Sequence, residues 1–210
     1  MRASPLQGEH GEDVLRWTTV RDMPVPWSYR ATGAAESLAI ADVSALPRYG
    51  LKGPGAVAWL GSIGIAIPDR HNRWLDLPGG GLIGRLGHTE FFIEDGPTGN
   101  VVDTTVGRFG AGTPGVYAVP HQDAAIVLTG ERTNEVLVQT CNINFGAIEP
   151  RELVMTSMVG VSVLVIPRDN RIHIWCDPSF GPYLWRTLVA IVRELGGAPI
   201  GIGKVYPEIQ

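Results

Sequence analysis

Cysteine is nearly absent from this sequence. The 210 residues hold two, Cys141 and Cys176, too few for a disulfide framework and not arranged as a C-x-x-C pair. A reducing cytoplasm is the expected setting. Charge is scarce as well, at 18% of residues. Seventeen Lys plus Arg against twenty-one Asp plus Glu leave a formal charge of −4, with no basic stretch. A phosphate backbone needs such a stretch, so nucleic acid is not an expected partner. Long apolar runs are missing too. The richest, Leu153 to Ile166, is broken by Thr156, Ser157, Gly160 and Ser162 and stops at Pro167, short of the ~20 residues of a spanning helix. No membrane association is expected, and no secretion signal, because no apolar stretch follows Arg2 near the N-terminus.

What the chain does have is apolar bulk and turns. Hydrophobic side chains make up 44% of it, with twenty-seven glycines and sixteen prolines, enough for one sizeable core or two small ones. A mean hydropathy of +0.09 is high for a fully wetted surface and suggests that some apolar surface belongs to a partner protein.

Residues 1–32 are polar and punctuated by proline, with Trp17, Trp27 and Tyr29 as their bulky groups. They read as an extended N-terminal arm that docks by its aromatics. Residues 33–210 read as one unit, open to division into two strand–helix halves joined near 96–115, a glycine-bearing stretch with little periodicity. Strands are expected over Ile40–Ser44 and Arg48–Lys52, and a helix after Gly53-Pro54 that carries Val57 and Leu60 inward. Arg70 to Gly81 reads as a loop, and Leu82–Leu86 with Glu90–Glu94 as a hairpin. Strands at Val116–Val119 and Ala124–Leu128 precede a helix over Gly130–Thr140 that buries Val136 and Leu137. The spacing Leu51-x-Gly53 to Leu60 recurs as Leu128-x-Gly130 to Leu137, which suggests two copies of a strand-to-helix unit.

The last third is patterned most strongly. Val161 to Ile166 is a continuous apolar run, the expected mark of a strand covered on both faces, and it pairs with Arg171–Cys176 across Arg168-Asp169-Asn170. Phe180, Tyr183, Leu184, Thr187, Leu188, Ile191, Val192 and Leu195 form one helical stripe, with Ser179 as N-cap and Gly196-Gly197 as stop. A short strand, Pro199 to Ile202, returns to the sheet. The class is α+β, with antiparallel and mixed sheets and a few helices.

No catalytic constellation stands out. Gly79-Gly80-Gly81-Leu82-Ile83-Gly84 satisfies G-x-G-x-x-G, and Asp103 lies downstream at about the distance of a ribose-binding acid. Pro78 precedes these glycines, however, and a strand-like run follows, so the context is wrong for a dinucleotide. His10, His71, His88, His121 and His173 are scattered, without metal-ligand spacing. Cys141 beside Asn142 reads as packing rather than as a nucleophile. Catalytic, cofactor-binding and metal-ligating residues are therefore all assigned as none.

Several runs taken together nevertheless resemble a family. They are Asp42-Val43-Ser44, Gly53-Pro54-Gly55-Ala56 with Leu60, Gly80-Gly81 leading to Arg85-Leu86-Gly87, and Glu90-Phe91-Phe92-Ile93. Leu128-Thr129-Gly130 with Val136-Leu137 and Tyr183-Leu184-Trp185 with Leu188 continue the pattern. From about Ala39 to Ile202 the order is similar to the folate-binding domain shared by the glycine-cleavage T-protein aminomethyltransferases and the gamma subunits of heterotetrameric sarcosine oxidases. Length favours the gamma subunits, since the aminomethyltransferases carry an additional C-terminal domain.

The departures matter more. Where the aminomethyltransferases follow the glycine pair with paired aspartates, this chain has Gly81-Leu82-Ile83-Gly84-Arg85. Their folate-anchoring T-G-E segment is replaced by Arg168-Asp169-Asn170. The resemblance thus implies a fold kept and a transfer chemistry lost. It implies a non-catalytic subunit of a flavin-dependent N-methyl amine oxidase or dehydrogenase, whose larger flavin-binding subunits hold FAD, FMN and NAD. Tetrahydrofolate in another subunit would take up the one-carbon unit. Two alternatives stay open: a stand-alone tetrahydrofolate-dependent aminomethyltransferase or demethylase, in which Asp42, Asp95 and Asp103 would be the carboxylates to test, and a binding or assembly-repair protein of the same fold.

Overall fold

The recurrence of Leu-x-Gly marks a real repetition in the structure. The computed structural model describes residues 2–30, 35–110 and 112–209. In chain order the elements are β1 (Val14–Val20), β2 (Met23–Tyr29), β3 (Ala39–Asp42), β4 (Arg48–Lys52), α1 (Ala56–Ser62), β5 (Arg73–Leu77), β6 (Gly81–Gly87), β7 (Glu90–Glu94), α2 (Val101–Phe109) and β8 (Tyr117–Pro120). They continue with β9 (Ala124–Thr129), α3 (Thr133–Thr140), β10 (Val154–Met158), β11 (Val161–Arg168), β12 (Arg171–Cys176), α4 (Gly181–Glu194), β13 (Ala198–Pro199) and α5 (Ile202–Val205). They fall into two units, one made of Met1–Ala45, Gln122–Pro150 and Val154–Gln210, the other of Leu46–His121 with Arg151–Leu153.

The second unit holds a five-stranded antiparallel sheet in the order β5-β6-β7-β4-β8. The first holds β10-β11-β12-β9-β3-β13, antiparallel except for β13 beside β3. The strands that follow β4 and β9 in the chain thus occupy the same places in both sheets. In each copy a central strand passes through a glycine into a helix. Gly53 has φ +119° and Gly130 φ +111°, and a Cβ on either would meet a backbone carbonyl, that of Gly115 or of Ser37. The repeated glycine is thus required by both the turn and the close approach. Gly53→Ala is expected to cost about 2–3 kcal/mol. By contrast Gly61→Ala, inside α1 with nothing near the added methyl, should stabilise by up to about 1 kcal/mol. Chemical denaturation of the two variants checks the opposite signs.

In the first unit, Ile40, Ile126, Ile174 and Val163 line one sheet face. Leu137 from α3 and Leu188 from α4 belong to the same core. In the second unit Leu51, Leu60, Ile83, Ile93 and Val102 do the corresponding work.

Several sequence expectations are revised. Residues 14–29 of the expected extended arm are a hairpin, β1 against β2, and the segment docks on its own unit. Leu6, Met23 and Val25 are buried, and Trp27 lies against Gly201 and Gly203, whose missing side chains admit it. The expected boundary at residue 32 and its neighbours 31–34 lie outside the described residues. The 70–81 loop contains β5, paired with β6. The 96–115 connector contains α2, whose first amides, those of Val101 and Val102, donate to the Asp95 carboxylate at 2.8 and 3.2 Å. The units divide near Ala45 and Gln122, not within 96–115.

β11 is covered mainly on one face: Val161, Val163 and Val165 are buried, while Ser162 is exposed. An apolar run alone does not report the second face. At α4 the N-cap is Phe180 rather than Ser179, whose amide and hydroxyl donate to Asp177 Oδ1. Phe180 and Tyr183 are exposed, and Trp185 is buried instead. The final strand is only Ala198–Pro199, and Ile202 opens α5. Among the described residues no helix is long and apolar enough to cross a membrane.

Candidate functional site

Of the groups weighed from sequence, His71 and His88 lie with ring centroids 5.0 Å apart, and His10 meets Asp42. The glycine loop leads into β6, a strand, and not into the helix that a dinucleotide fingerprint opens. Asp103 sits in the first turn of α2. Cys141 is buried with its sulfur 3.7 Å from Thr156 Oγ1. Burial, with Asp123 and Asp177 nearby, pushes the Cys176 thiol up to about 12, which keeps it protonated. Among the described residues no three His, Cys, Asp or Glu side chains converge as metal ligands.

The stretch that the family resemblance sets against two aspartates, Gly81-Leu82-Ile83-Gly84-Arg85, opens β6. Gly84 leaves room for Leu153, whose Cδ2 would lie 2.9 Å from an added Cβ. The Arg85 guanidinium donates to the carbonyls of Pro68 (3.0 Å), Asp69 (2.8 Å) and His88 (2.7 Å). Arg168-Asp169-Asn170, in place of the T-G-E segment, forms the β11–β12 turn, with Asp169 at φ +53°.

The best-organised polar group is centred on Asp42, which the sequence offers only as one of three carboxylates to test and without its partners. Asp42, at the end of β3, is 2% exposed in an otherwise apolar strand. Its Oδ2 accepts from Ser4 Oγ at 2.7 Å and meets His10 Nε2 at 2.9 Å, and its Oδ1 accepts from the Ser44 amide at 2.8 Å. Ser44 Oγ in turn accepts from the Ala125 amide at 3.0 Å, tying the cluster to β9. The other ring nitrogen, His10 Nδ1, meets the Tyr29 hydroxyl at 2.8 Å. Trp17 and Trp185 meet the imidazole edge to face, with ring centroids 5.9 and 5.2 Å away.

Burial by itself would raise the Asp42 pKa. The hydrogen bond and charge of His10, with the bonds from Ser4 and Ser44, outweigh it and hold the carboxyl below its ordinary 3.8. Burial first, and then the Asp42 charge, push the Tyr29 phenol well above its usual range, so it stays neutral. With Asp42 ionised, Nε2 carries the shared proton. In that tautomer Nδ1 accepts the Tyr29 O–H. The arrangement is a hydrogen-bonded chain from a buried carboxylate to a phenol. The one sequence signal for it was a carboxylate inside the run Ala39-Ile40-Ala41-Asp42-Val43. His10 and Tyr29 lay in the presumed arm and gave none.

No protein-family model matches the chain, and no curated protein matches it in sequence. Its likeness is to solved structures. One chain of the heterotetrameric sarcosine oxidase from Corynebacterium sp. U-96, solved in complex with pyrrole 2-carboxylate, superimposes with a TM-score of 0.71 at 19% identity, over 94% of this chain and 97% of that one. The glycine cleavage system aminomethyltransferase T from Bartonella henselae gives 0.71 at 14% identity, over 96% of this chain and 60% of that one. The fold is accordingly α+β, of the aminomethyltransferase type that both structures share. Within that class the chain is matched end to end by a chain of an oxidase assembly and spans about 60% of the transferase.

Proposed function

We propose that this chain is a non-catalytic, gamma-type subunit of a heteromeric flavin-dependent oxidase or dehydrogenase of N-methyl amines, similar to sarcosine oxidase and cytoplasmic. The observation that carries the reading is the end-to-end match, 94% against 97%, to a chain of a heterotetrameric sarcosine oxidase. The run Gly81–Arg85, which carries no carboxylate where the resemblance sets paired aspartates, supports a fold retained without transfer chemistry. Exposed apolar side chains such as Leu15, Trp17 and Phe180 agree with a chain that lends surface to an assembly. On this reading the larger subunits hold FAD, FMN and NAD and oxidise the amine to an iminium. Tetrahydrofolate in another subunit then takes up the one-carbon unit, and this chain holds none of those groups.

The test is expression of the chain alone and together with its genomic neighbours, read by mass photometry and an absorption spectrum. The expected result is a flavin-yellow assembly several times heavier than the chain and containing it in fixed ratio. A colourless monomer from both preparations overturns the proposal. So does saturable tetrahydrofolate binding with turnover by the isolated chain, which would establish a stand-alone aminomethyltransferase or demethylase.

A further inference from the structure

Two histidines that the sequence scatters come together in the second unit. His71 stands in the loop before β5 and His88 in the β6–β7 turn, and their rings meet edge to face, with 5.0 Å between centroids and 67° between planes. Both residues are exposed. Their ring nitrogens have no hydrogen-bond partner among the described residues, so the backbone beneath is what holds them together. Arg85 ties that backbone. Its Nη1 donates to the carbonyls of Pro68 at 3.0 Å and Asp69 at 2.8 Å, and its Nη2 donates to the carbonyl of His88 itself at 2.7 Å. One guanidinium thus joins the loop that carries His71 to the turn that carries His88. Each segment has a second anchor: the Asn72 amide donates to the Arg85 carbonyl at 2.8 Å, and the Gly53 amide donates to the Thr89 carbonyl at 3.0 Å. The two imidazoles are therefore placed side by side on fixed backbone, the preorganisation that a chelating site needs.

The spacing is the one that a shared metal ion imposes. With metal–nitrogen bonds of about 2.0–2.1 Å, an ion lies about 3.2 Å from each ring centroid, and two such ligands at about 90–110° put the centroids about 4.5–5.2 Å apart. The observed 5.0 Å falls inside that range. Rotation about the Cβ–Cγ bond, a broad torsion in histidine, aims both ring edges at one point without moving the backbone. The donor set also selects the ion. No third His, Cys, Asp or Glu joins the pair as a ligand among the described residues, and Arg85, which anchors it, is a cation. Imidazole nitrogens without an oxygen ligand favour a borderline transition ion such as Zn²⁺, Ni²⁺ or Cu²⁺ over Mg²⁺ and Ca²⁺, which take oxygen. With no carboxylate or carbonyl holding the outward ring nitrogens, the support that makes a resident metal tight is missing. Exchangeable, micromolar binding is the expectation.

We infer that His71 and His88 form a two-histidine site for a divalent transition-metal ion, clamped by Arg85, with water completing the coordination. The site uses one unit of this chain and needs no flavin, folate or partner, so the inference stands or falls apart from the assembly proposed above.

The experiment titrates the full-length protein, free of any affinity tag, with zinc chloride by calorimetry, and with magnesium chloride as control. One equivalent of zinc is expected to bind in the micromolar range, and magnesium is not. His71→Ala and His88→Ala should each weaken zinc binding about tenfold or more. Both side chains are exposed, so the melting temperature without metal should stay unchanged and show that the fold is intact. Proton NMR gives a second readout: the two imidazole C–H signals that disappear in the single variants are the ones expected to shift when zinc is added. Absence of saturable zinc binding, shifts confined to other histidines, unweakened binding by either single variant, or equal binding of magnesium overturns the inference.

Discussion

Asp42→Ala is expected to lower the unfolding free energy by about 3–5 kcal/mol, the cost of leaving several buried polar groups without their shared acceptor. The side chains of His10 and Asp42 are 0% and 1% exposed. Removing the carboxylate strands His10 Nε2, Ser4 Oγ and the Ser44 amide at once, and none of the three can turn to water without opening the unit. The loss falls on the docking of the N-terminal segment, because Ser4, His10 and Tyr29 all reach the core through this one side chain. Asp42→Asn should cost less, since the amide keeps one acceptor, yet it turns a donor toward groups that donate. Urea denaturation at neutral pH measures both variants, and a loss under about 1 kcal/mol for the alanine variant would show that the cluster is not held as described.

The same carboxylate has a pH signature. Its folded pKa lies below its unfolded value, so its stabilisation is complete above the ordinary carboxylate range and is lost as the pH falls below about 4 toward the depressed folded value.

The second large effect is expected at His173, and it operates in a different window. His173 sits in β12 opposite Val127, stacked on Trp175 with ring centroids 5.8 Å apart. It is 3% exposed, and its Nδ1 finds no hydrogen-bond partner among the described residues. Burial first, then the cations of Arg168 and Arg171, lower its pKa from 6.5 to about 3. The folded chain therefore keeps the ring neutral where the unfolded chain protonates it. The stabilisation is complete above the unfolded value of 6.5 and drains away as the pH falls toward 3. The gradient is up to about 1.4 kcal/mol per pH unit from this one group. His173→Phe keeps an aromatic ring against Trp175 and removes the titration. Its stability, measured by denaturation from pH 6.5 down to 4.5, should fall less steeply than that of the wild type. Identical slopes would show that the ring is protonated in the folded chain. Because Asp42 acts only below about 4, the two windows overlap only at their acid end, and the range from pH 6.5 to 4.5 reads His173 without Asp42.

How much of this could be read along the chain depended on the range of the forces involved. The β6–β7 and β11–β12 hairpins were legible because each pairs neighbours across a short turn. The stripe of α4 was legible because one burial face repeats over four turns, although only a partner surface decides that Trp185 goes in while Phe180 and Tyr183 stay out. α2 was not legible. Val101-Val102-Asp103-Thr104-Thr105-Val106 is dominated by β-branched residues of poor helix propensity. The helix exists because Asp95, six residues upstream, accepts its first amides and because Val102 and Thr105 are buried. β5 was hidden in the same way, its strand state supplied by pairing with β6. The buried polar cluster was the least legible feature of all, since His10 and Asp42 lie 32 residues apart and nothing in their local spacing foretells contact.

The sequence by itself determined the α+β class, the paired Leu-x-Gly turns, the hairpins and the main helix, and it exposed the missing carboxylates in the Gly81–Arg85 run. All of these follow from local periodicity, backbone permissiveness and residue type, which act over a few positions. Only the tertiary structure decided that the N-terminal segment folds onto its own unit, that α2 is a helix, and that Asp42, His10 and Tyr29 form one chain of hydrogen bonds. Those outcomes depend on which distant surfaces come together and lose their water, and desolvation strengthens a hydrogen bond and shifts a proton only once the partners have met.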